Sequence, residues 1–231
     1  MSGAVRSKKQ MRAILEAEWV GEDEELRTVA GGKDNVGHLG ATIGGHFAVP
    51  HQPLGPVPEL DVDVGLLATP SRVVREGAFN GDEWIHDPAL RGWVFAASPD
   101  QLAVRFADHL AAAGPEGWYV FTNRRFAVVV DSSVVSRTKA EPDQDAAAER
   151  KRGGVGGLLG KARSALDAVA EVSTGFTKSG TRCAMLWEVS HDQVRNREWV
   201  RRGRGTMPEL FDRVDFVDGS ALEIRLNLRM L

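Results

Sequence analysis

The stretch whose residue types and spacing could do chemistry is "RNREWVRRGRG", residues 195–205. Arg195, Arg197, Trp199 and Arg201 recur at every second position, so on an extended strand they share one face, with Arg202 and Arg204 on the other. Guanidinium groups in a row beside an indole suit bidentate bonds to phosphate or carboxylate oxygens, with Trp199 reaching an interface or stacking on a base. Arg195, Arg197, Trp199, Arg201 and Arg202 are therefore the candidates for holding an anionic ligand or a partner. The competing reading is a solvated strand face whose arginines pair with Asp192, Glu198 and their neighbours. Five arginines without a second basic segment make a small footprint, which argues against nucleic acid.

A second candidate lies between residues 150 and 170. Leu158, Leu159, Ala162, Leu166, Val169 and Ala170 fall at helical spacing, flanked by Arg150, Lys151, Arg152, Lys161 and Arg163. Such a helix docks on its own domain, self-associates through Leu158, Leu159 and Leu166, or lies on a membrane surface. Its stripe is rich in Ala, so lipid would be held feebly and packing or oligomerisation is the better reading.

Other constellations fall short of chemistry. "GGVGGLLGK" ends in Gly160-Lys161, but Val155 stands where a phosphate loop needs its first glycine and Ala162 replaces the metal-binding hydroxyl. His38, His46 and His51 have irregular separations and no cysteine or carboxylate framework, so they read as structural or solvated and no metal is expected. Cys183, in "RCAML", is the one cysteine; it reads as a buried structural thiol in an intracellular, cytoplasmic chain. No nucleophile elbow, acid dyad or Cys–His pair emerges, so neither catalytic residues nor a cofactor are expected and the chain reads as non-enzymatic.

The elements that must position these residues follow from periodicity. Met11, Ile14, Leu15 and Trp19 predict a helix over 8–19, which "GEDEELRTVAGG" could extend. Residues 31–59, punctuated by Pro50, Pro53, Pro56 and Pro58, predict loop and extended chain, and the alternation of Leu60, Val62, Val64 and Leu66 a strand. Residues 70–98 read as irregular but packed, through Trp84 and Trp93. Ser98 as N-cap, Pro99 at the first position and Gln101 closing a capping-box pattern predict a helix ending at Gly114-Pro115. Its buried face would be Leu102, Phe106, Leu110 and Ala113.

Trp118–Phe121 and Phe126–Val130 predict a hairpin whose tip is Thr122, Asn123, Arg124 and Arg125. Asn123 would supply the left-handed residue of the turn, Thr122 a local hydrogen bond, and Arg125 a pairing with a carboxylate on a neighbouring strand. "TRCAMLWEV", "REWVRRGRG" and "LFDRVDFVDGSALEIRLNLRM" predict further strands. In the last of these, a turn at Asp218-Gly219-Ser220 would set Phe216 opposite Leu222 and Val214 opposite Ile224. Arg213, Asp215, Glu223 and Arg225 would then share the outward face.

Three motifs together resemble the bacterial pleckstrin-homology-like (PH-like) domains. They are the turn Thr122-Asn123-Arg124-Arg125 between apolar strands, Trp187-Glu188-Val189 running into Asp192-Gln193-Val194, and the Asp218-Gly219-Ser220 hairpin. The resemblance implies an α+β, mainly β fold: an antiparallel β-barrel or half-barrel over residues 99–231, with an insert at 132–180. An irregular N-terminal elaboration, 1–98, would pack on it. Two features depart from the family's pattern, the large insert and the absence of a helix after the last strand. The implied function is a non-enzymatic cytoplasmic binding or scaffold module acting on a protein partner or by self-association. The alternative is peripheral binding to anionic lipid through the arginine strand.

Composition bounds these readings without choosing among them. With 231 residues, 42% hydrophobic and 26% charged, the chain has ample material for a core. A net charge of -3 exerts no global pull on nucleic acid or membrane, although residues 1–100 carry 9 Lys+Arg against 15 Asp+Glu and the remainder is mildly basic. No apolar run is long enough to span a bilayer, and the first twenty residues lack the core of a signal peptide. Only 7 of the 29 basic residues are Lys, a composition expected of a GC-rich bacterial genome such as an actinobacterial one.

Overall fold

The computed structural model describes residues 6–32, 36–135, 181–203 and 208–225. In chain order the strands are β1 Leu26–Gly31, β2 His38–Ile43, β3 His46–Ala48, β4 Leu90–Ala96, β5 Trp118–Thr122, β6 Arg125–Asp131, β7 Cys183–Ser190, β8 Val194–Arg202, β9 Glu209–Phe216 and β10 Ala221–Arg225. The helices are α1 Lys8–Ile14, continued by a π-helical turn Leu15–Trp19, the short α2 Arg72–Arg75, and α3 Leu102–Ala113. One sheet has the order β1-β5-β6-β7 and the other β3-β2-β4-β10-β9-β8. The fold is α+β and mainly β, and among the described residues neither sheet closes into a barrel. All pairings are antiparallel except β2 with β4.

Alternation along β5 and β6 explains the layers. Trp118, Val120, Ala127 and Val129 face one way, onto Met11, Ile14 and Leu15 of the N-terminal helix. Tyr119, Phe121, Phe126 and Val128 face the other way, into a core shared with α3 and with Val94, Val214, Leu222 and Ile224 of the second sheet. Phe106 of α3 stacks on Phe126 with ring centroids 4.4 Å apart, at the centre of that core. The outer face of the second sheet is covered where Trp93 and Phe211 meet Val74, Trp84 and Ile85. Strands drawn from residues 26–96 thus enter both sheets, beside strands from the C-terminal half.

Several expectations are met. The 8–19 helix buries Met11, Ile14 and Leu15, the 118–131 hairpin pairs Phe121 with Phe126, and α3 buries Phe106, Leu110 and Ala113 before ending at Gly114. Others change. "GEDEELRTVAGG" does not prolong the helix: Leu26 to Gly31 form β1, because β5 offers them a full ladder and Gly32 takes a positive φ. No strand forms over 60–66; Leu60 makes an isolated bridge to Val135, and Asp63 accepts from the Gly65 N–H to start a 3-10 turn at Val64–Leu66. The 70–98 stretch is packed, with Trp84 and Trp93 buried, yet it ends in a regular strand, β4.

Helix α3 begins at Leu102 with Gln101 as its N-cap, not at Pro99 after Ser98. The cap comes from the β9–β10 turn: Asp218 Oδ2 accepts from the Leu102 N–H at 2.6 Å, and Ser220 Oγ from the Ala103 N–H at 3.1 Å. The β9–β10 hairpin has another register than expected, with Val214 opposite Leu222 and Asp212 opposite Ile224. That is a shift of two residues, so Arg213, Asp215, Glu223 and Arg225 still share one face, but Asp215 and Glu223 are buried on it, not outward as expected. Arg213 and Glu223 sit directly opposite each other and are ion-paired. The two hairpins that carry the PH-like motifs fall in different sheets. The expected helix at 158–170 lies outside the described residues, as do Leu158, Leu159 and Leu166.

Candidate functional site

The arginine strand is β8, the last strand of the six-stranded sheet. It pairs with β9 along its length, from Val194 opposite Phe216 to Arg202 opposite Glu209, with a register break between Val194 and Asn196. Among the described residues no strand pairs with its other side. A nine-residue strand with one edge unpaired among the described residues offers a row of backbone donors and acceptors to an added strand.

The side chains of this strand divide into two sets. Arg197 turns inward and grips Asp212 of β9, with Nε 2.9 Å from Oδ1 and a terminal nitrogen 2.5 Å from Oδ2. The same guanidinium donates to Thr28 Oγ1 of β1 at 2.7 Å and lies 4.3 Å from the ring centre of Phe121. It therefore ties one sheet to the other. Burial pushes the Asp212 carboxyl up to about 7, and burial together with the nearby charge of Arg27 pushes the Arg197 guanidinium down to about 10. The fork geometry opposes both shifts, because each charge is the other's partner, and the pair is ionised at neutral pH.

Arg202 is also committed. It bonds both carboxylate oxygens of Glu223, at 3.0 and 2.5 Å. Glu223 is fully buried and accepts a second guanidinium from Arg213, which also holds Asp215. What β8 leaves to solvent is Arg195, at the register break, with Asn196, Glu198, Trp199 and Arg201; the indole is 63% exposed. Trp199 shares its face parity with Arg197, being two positions along, yet stays outside.

The 122–125 tip is occupied with internal bonds. Thr122 Oγ1 accepts from the Arg124 and Arg125 N–H groups and donates to Glu24 Oε1 at 2.6 Å. Asn123 receives the Glu25 N–H on Oδ1; it is Asp23, not Asn123, that adopts a positive φ. Arg125 bonds Glu24 twice and Glu188 of the neighbouring β7 once, and lies 3.8 Å above the Trp19 ring. Burial works against the Glu24 charge, but the bonds from Arg125 and Thr122 hold its carboxyl below the usual range.

The three histidines scatter. His46 is exposed, His38 is half-buried and His51 is buried, with Nε2 2.8 Å from Asp108 Oδ1 on α3. Among the described residues no three His, Cys, Asp or Glu side chains come together as a metal cage. Burial, with Glu18 and Asp131 nearby, pushes the Cys183 thiol up to about 11, which keeps it protonated and unreactive at neutral pH. Sequence reasoning missed Asp108 and Asp212. The signal for Asp108 was an acid two positions after Phe106 and two before Leu110, near the apolar stripe of the helix, where a buried carboxylate requires partners.

No family model, curated protein or solved structure matches the chain. No helix among the described residues is long and apolar enough to cross a membrane.

Proposed function

We propose that the protein is a non-enzymatic cytoplasmic binding module, whose free β8 edge takes up an extended, acidic segment of a partner protein as an added strand. The observation that carries this reading is a nine-residue edge, unpaired among the described residues, with Trp199 standing exposed between Arg195 and Arg201. Main-chain bonds along such an edge supply affinity and alternate side chains supply selectivity. An exposed indole flanked by guanidinium groups has the composition of an interface hot spot.

The charges also choose the partner. In an antiparallel pairing of two β8 strands centred on Glu198, Arg195 would oppose Arg201, and like charges placed opposite each other are destabilising. An edge of this kind resists copies of itself and favours a strand bearing carboxylates. The PH-like character of two hairpins agrees with a binding role. Peripheral attachment to anionic lipid through the same strand is the second reading, but Arg197 and Arg202 are held by Asp212 and Glu223, which leaves two arginines for a surface.

The test is fluorescence anisotropy with a labelled peptide of about ten residues alternating Glu and Val. Wild-type protein is expected to bind it and Trp199→Ala at least about tenfold more weakly, with an Arg195→Glu/Arg201→Glu variant not binding. The reading fails if the peptide does not bind, or if both variants bind like wild type. Co-sedimentation with anionic but not neutral vesicles, lost in the double variant, would instead establish the lipid reading.

A further inference from the structure

Among the described residues β1 and β8 are each an outermost strand of their sheet, and each carries one break in register. The break in β1 falls between Leu26 and Thr28, and that in β8 between Val194 and Asn196. The extra residue is therefore Arg27 in one strand and Arg195 in the other, and both are exposed. An extra residue escapes the strict alternation of its strand, so its side chain is re-aimed.

Arg197 joins the two strands. Its Nη2 reaches Thr28 Oγ1, on the residue next to Arg27, at 2.7 Å, and also contacts Tyr119 and Asp212. Its Nε is taken by Asp212, and the Phe121 ring lies against the guanidinium face. The third nitrogen, Nη1, bonds no described residue and is not sealed from solvent. The charge of Arg27 acts on Arg197 across this gap. A rigidly held guanidinium thus offers one open donor beside a second cation from the other sheet.

Among the described residues neither Arg27 nor Arg195 forms an ion pair, and Asp212 is the one carboxylate that Arg197 holds. Three guanidiniums against one carboxylate leave two positive charges uncompensated. We propose that the seam between β1 and β8 binds a phosphate group, held by Arg27 and by Nη1 of Arg197, with Arg195 closing the site. Charge and shape both select this chemistry. A phosphate group carries about -1.5 to -2 at neutral pH, which matches the surplus. Its oxygens point apart, toward donors arriving from two sheets, whereas the two oxygens of a carboxylate lie in one plane and suit a single fork. The site shares Arg195 with the strand reading but needs no added strand, so either can fail alone.

The test follows the arginine Nε–Hε resonances of the full chain during titration with sodium phosphate at pH 7.5, with ionic strength held constant by chloride. Saturable shifts are expected at Arg27 and Arg197, with a Kd below about 10 mM. Acetate should bind at least about tenfold more weakly, and Arg27→Gln should weaken phosphate by at least about tenfold. Arg201→Gln removes the same charge roughly 13 Å along β8 from Arg197, beyond the screening length of about 8 Å, and should bind like wild type. A parallel titration with N-acetyl-phosphoserine amide identifies the source. Binding at least about tenfold tighter than inorganic phosphate assigns the group to a phosphorylated side chain, and equal or weaker binding assigns it to the free ion. The proposal is overturned if phosphate gives no saturable shift, if acetate binds as well, or if Arg27→Gln and Arg201→Gln weaken binding equally.

Discussion

At the scale of single residues, the decisive contrast lies within one strand. Arg195, Arg197 and Arg201 look equivalent in the sequence, yet Arg197 holds a fully buried carboxylate while its neighbours face water. Removing one member of a buried pair leaves the other charge stranded, so Arg197→Ala should lower stability by about 3–5 kcal/mol in urea unfolding. Arg195→Ala should change it by less than about 0.5 kcal/mol. Replacing both partners, as Arg197→Met with Asp212→Leu, should recover most of the loss, because no charge is then buried alone. Equal effects of Arg195→Ala and Arg197→Ala would show that the Asp212 grip carries no stability. The period-two pattern revealed the row of arginines but not their division. That depends on Thr28 and Phe121 arriving from the opposite sheet, which no local spacing records.

At the scale of elements, α3 shows a local signal overruled by a distant one. The Ser98-Pro99-Gln101 pattern is real in part: Gln101 Oε1 does accept from the Ser98 N–H at 3.1 Å. The helix nevertheless starts after Gln101, because Asp218 and Ser220 supply the acceptors that its first free N–H groups need. Asp218→Ala should therefore cost about 1 kcal/mol, toward the low end of cap losses because the carboxylate is partly solvated. Burial opposes the Asp218 charge, but bonds from Ser220 and Leu102 hold its pKa below the ordinary 3.8. A depressed carboxylate stabilises the fold above its unfolded value and loses that contribution as pH falls through the folded one. The gap between wild type and Asp218→Ala should thus be full at neutral pH and close as the pH drops below 3.8, measured by thermal unfolding across pH. A gap that stayed constant into acid would mean that the charge of Asp218 plays no part. Helices and hairpins with strong periodicity were readable from the sequence. β1, β2 and β4 were not, since their partners lie far along the chain and their Gly-rich flanks resemble loop.

At the scale of the whole molecule, two open sheets pack across α3 and share one core, with Phe106 and Phe126 at its centre. Phe106→Ala should cost about 3–5 kcal/mol, since a void there is bordered by both sheets and cannot collapse without moving one of them. An unchanged urea midpoint for that variant would remove α3 from its place as the element joining the sheets. The mainly β class was legible because strand-like runs dominate the C-terminal half. The division into two sheets was not, because each hairpin is compatible with one barrel until the N-terminal strands are placed between and beside them. Open sheets have edges, and β8 is the edge at which we propose that an acidic strand is taken up in preference to a second copy of the chain.

The most direct test of that claim is amide hydrogen exchange along residues 194–202, with and without the alternating Glu-Val peptide. If β8 accepts an added strand, its amides should slow on peptide addition while those of β3, at the far edge of the same sheet, stay unchanged. A matched peptide alternating Lys and Val should leave both edges unprotected. Protection of neither edge, or equal protection by the acidic and basic peptides, would contradict the account.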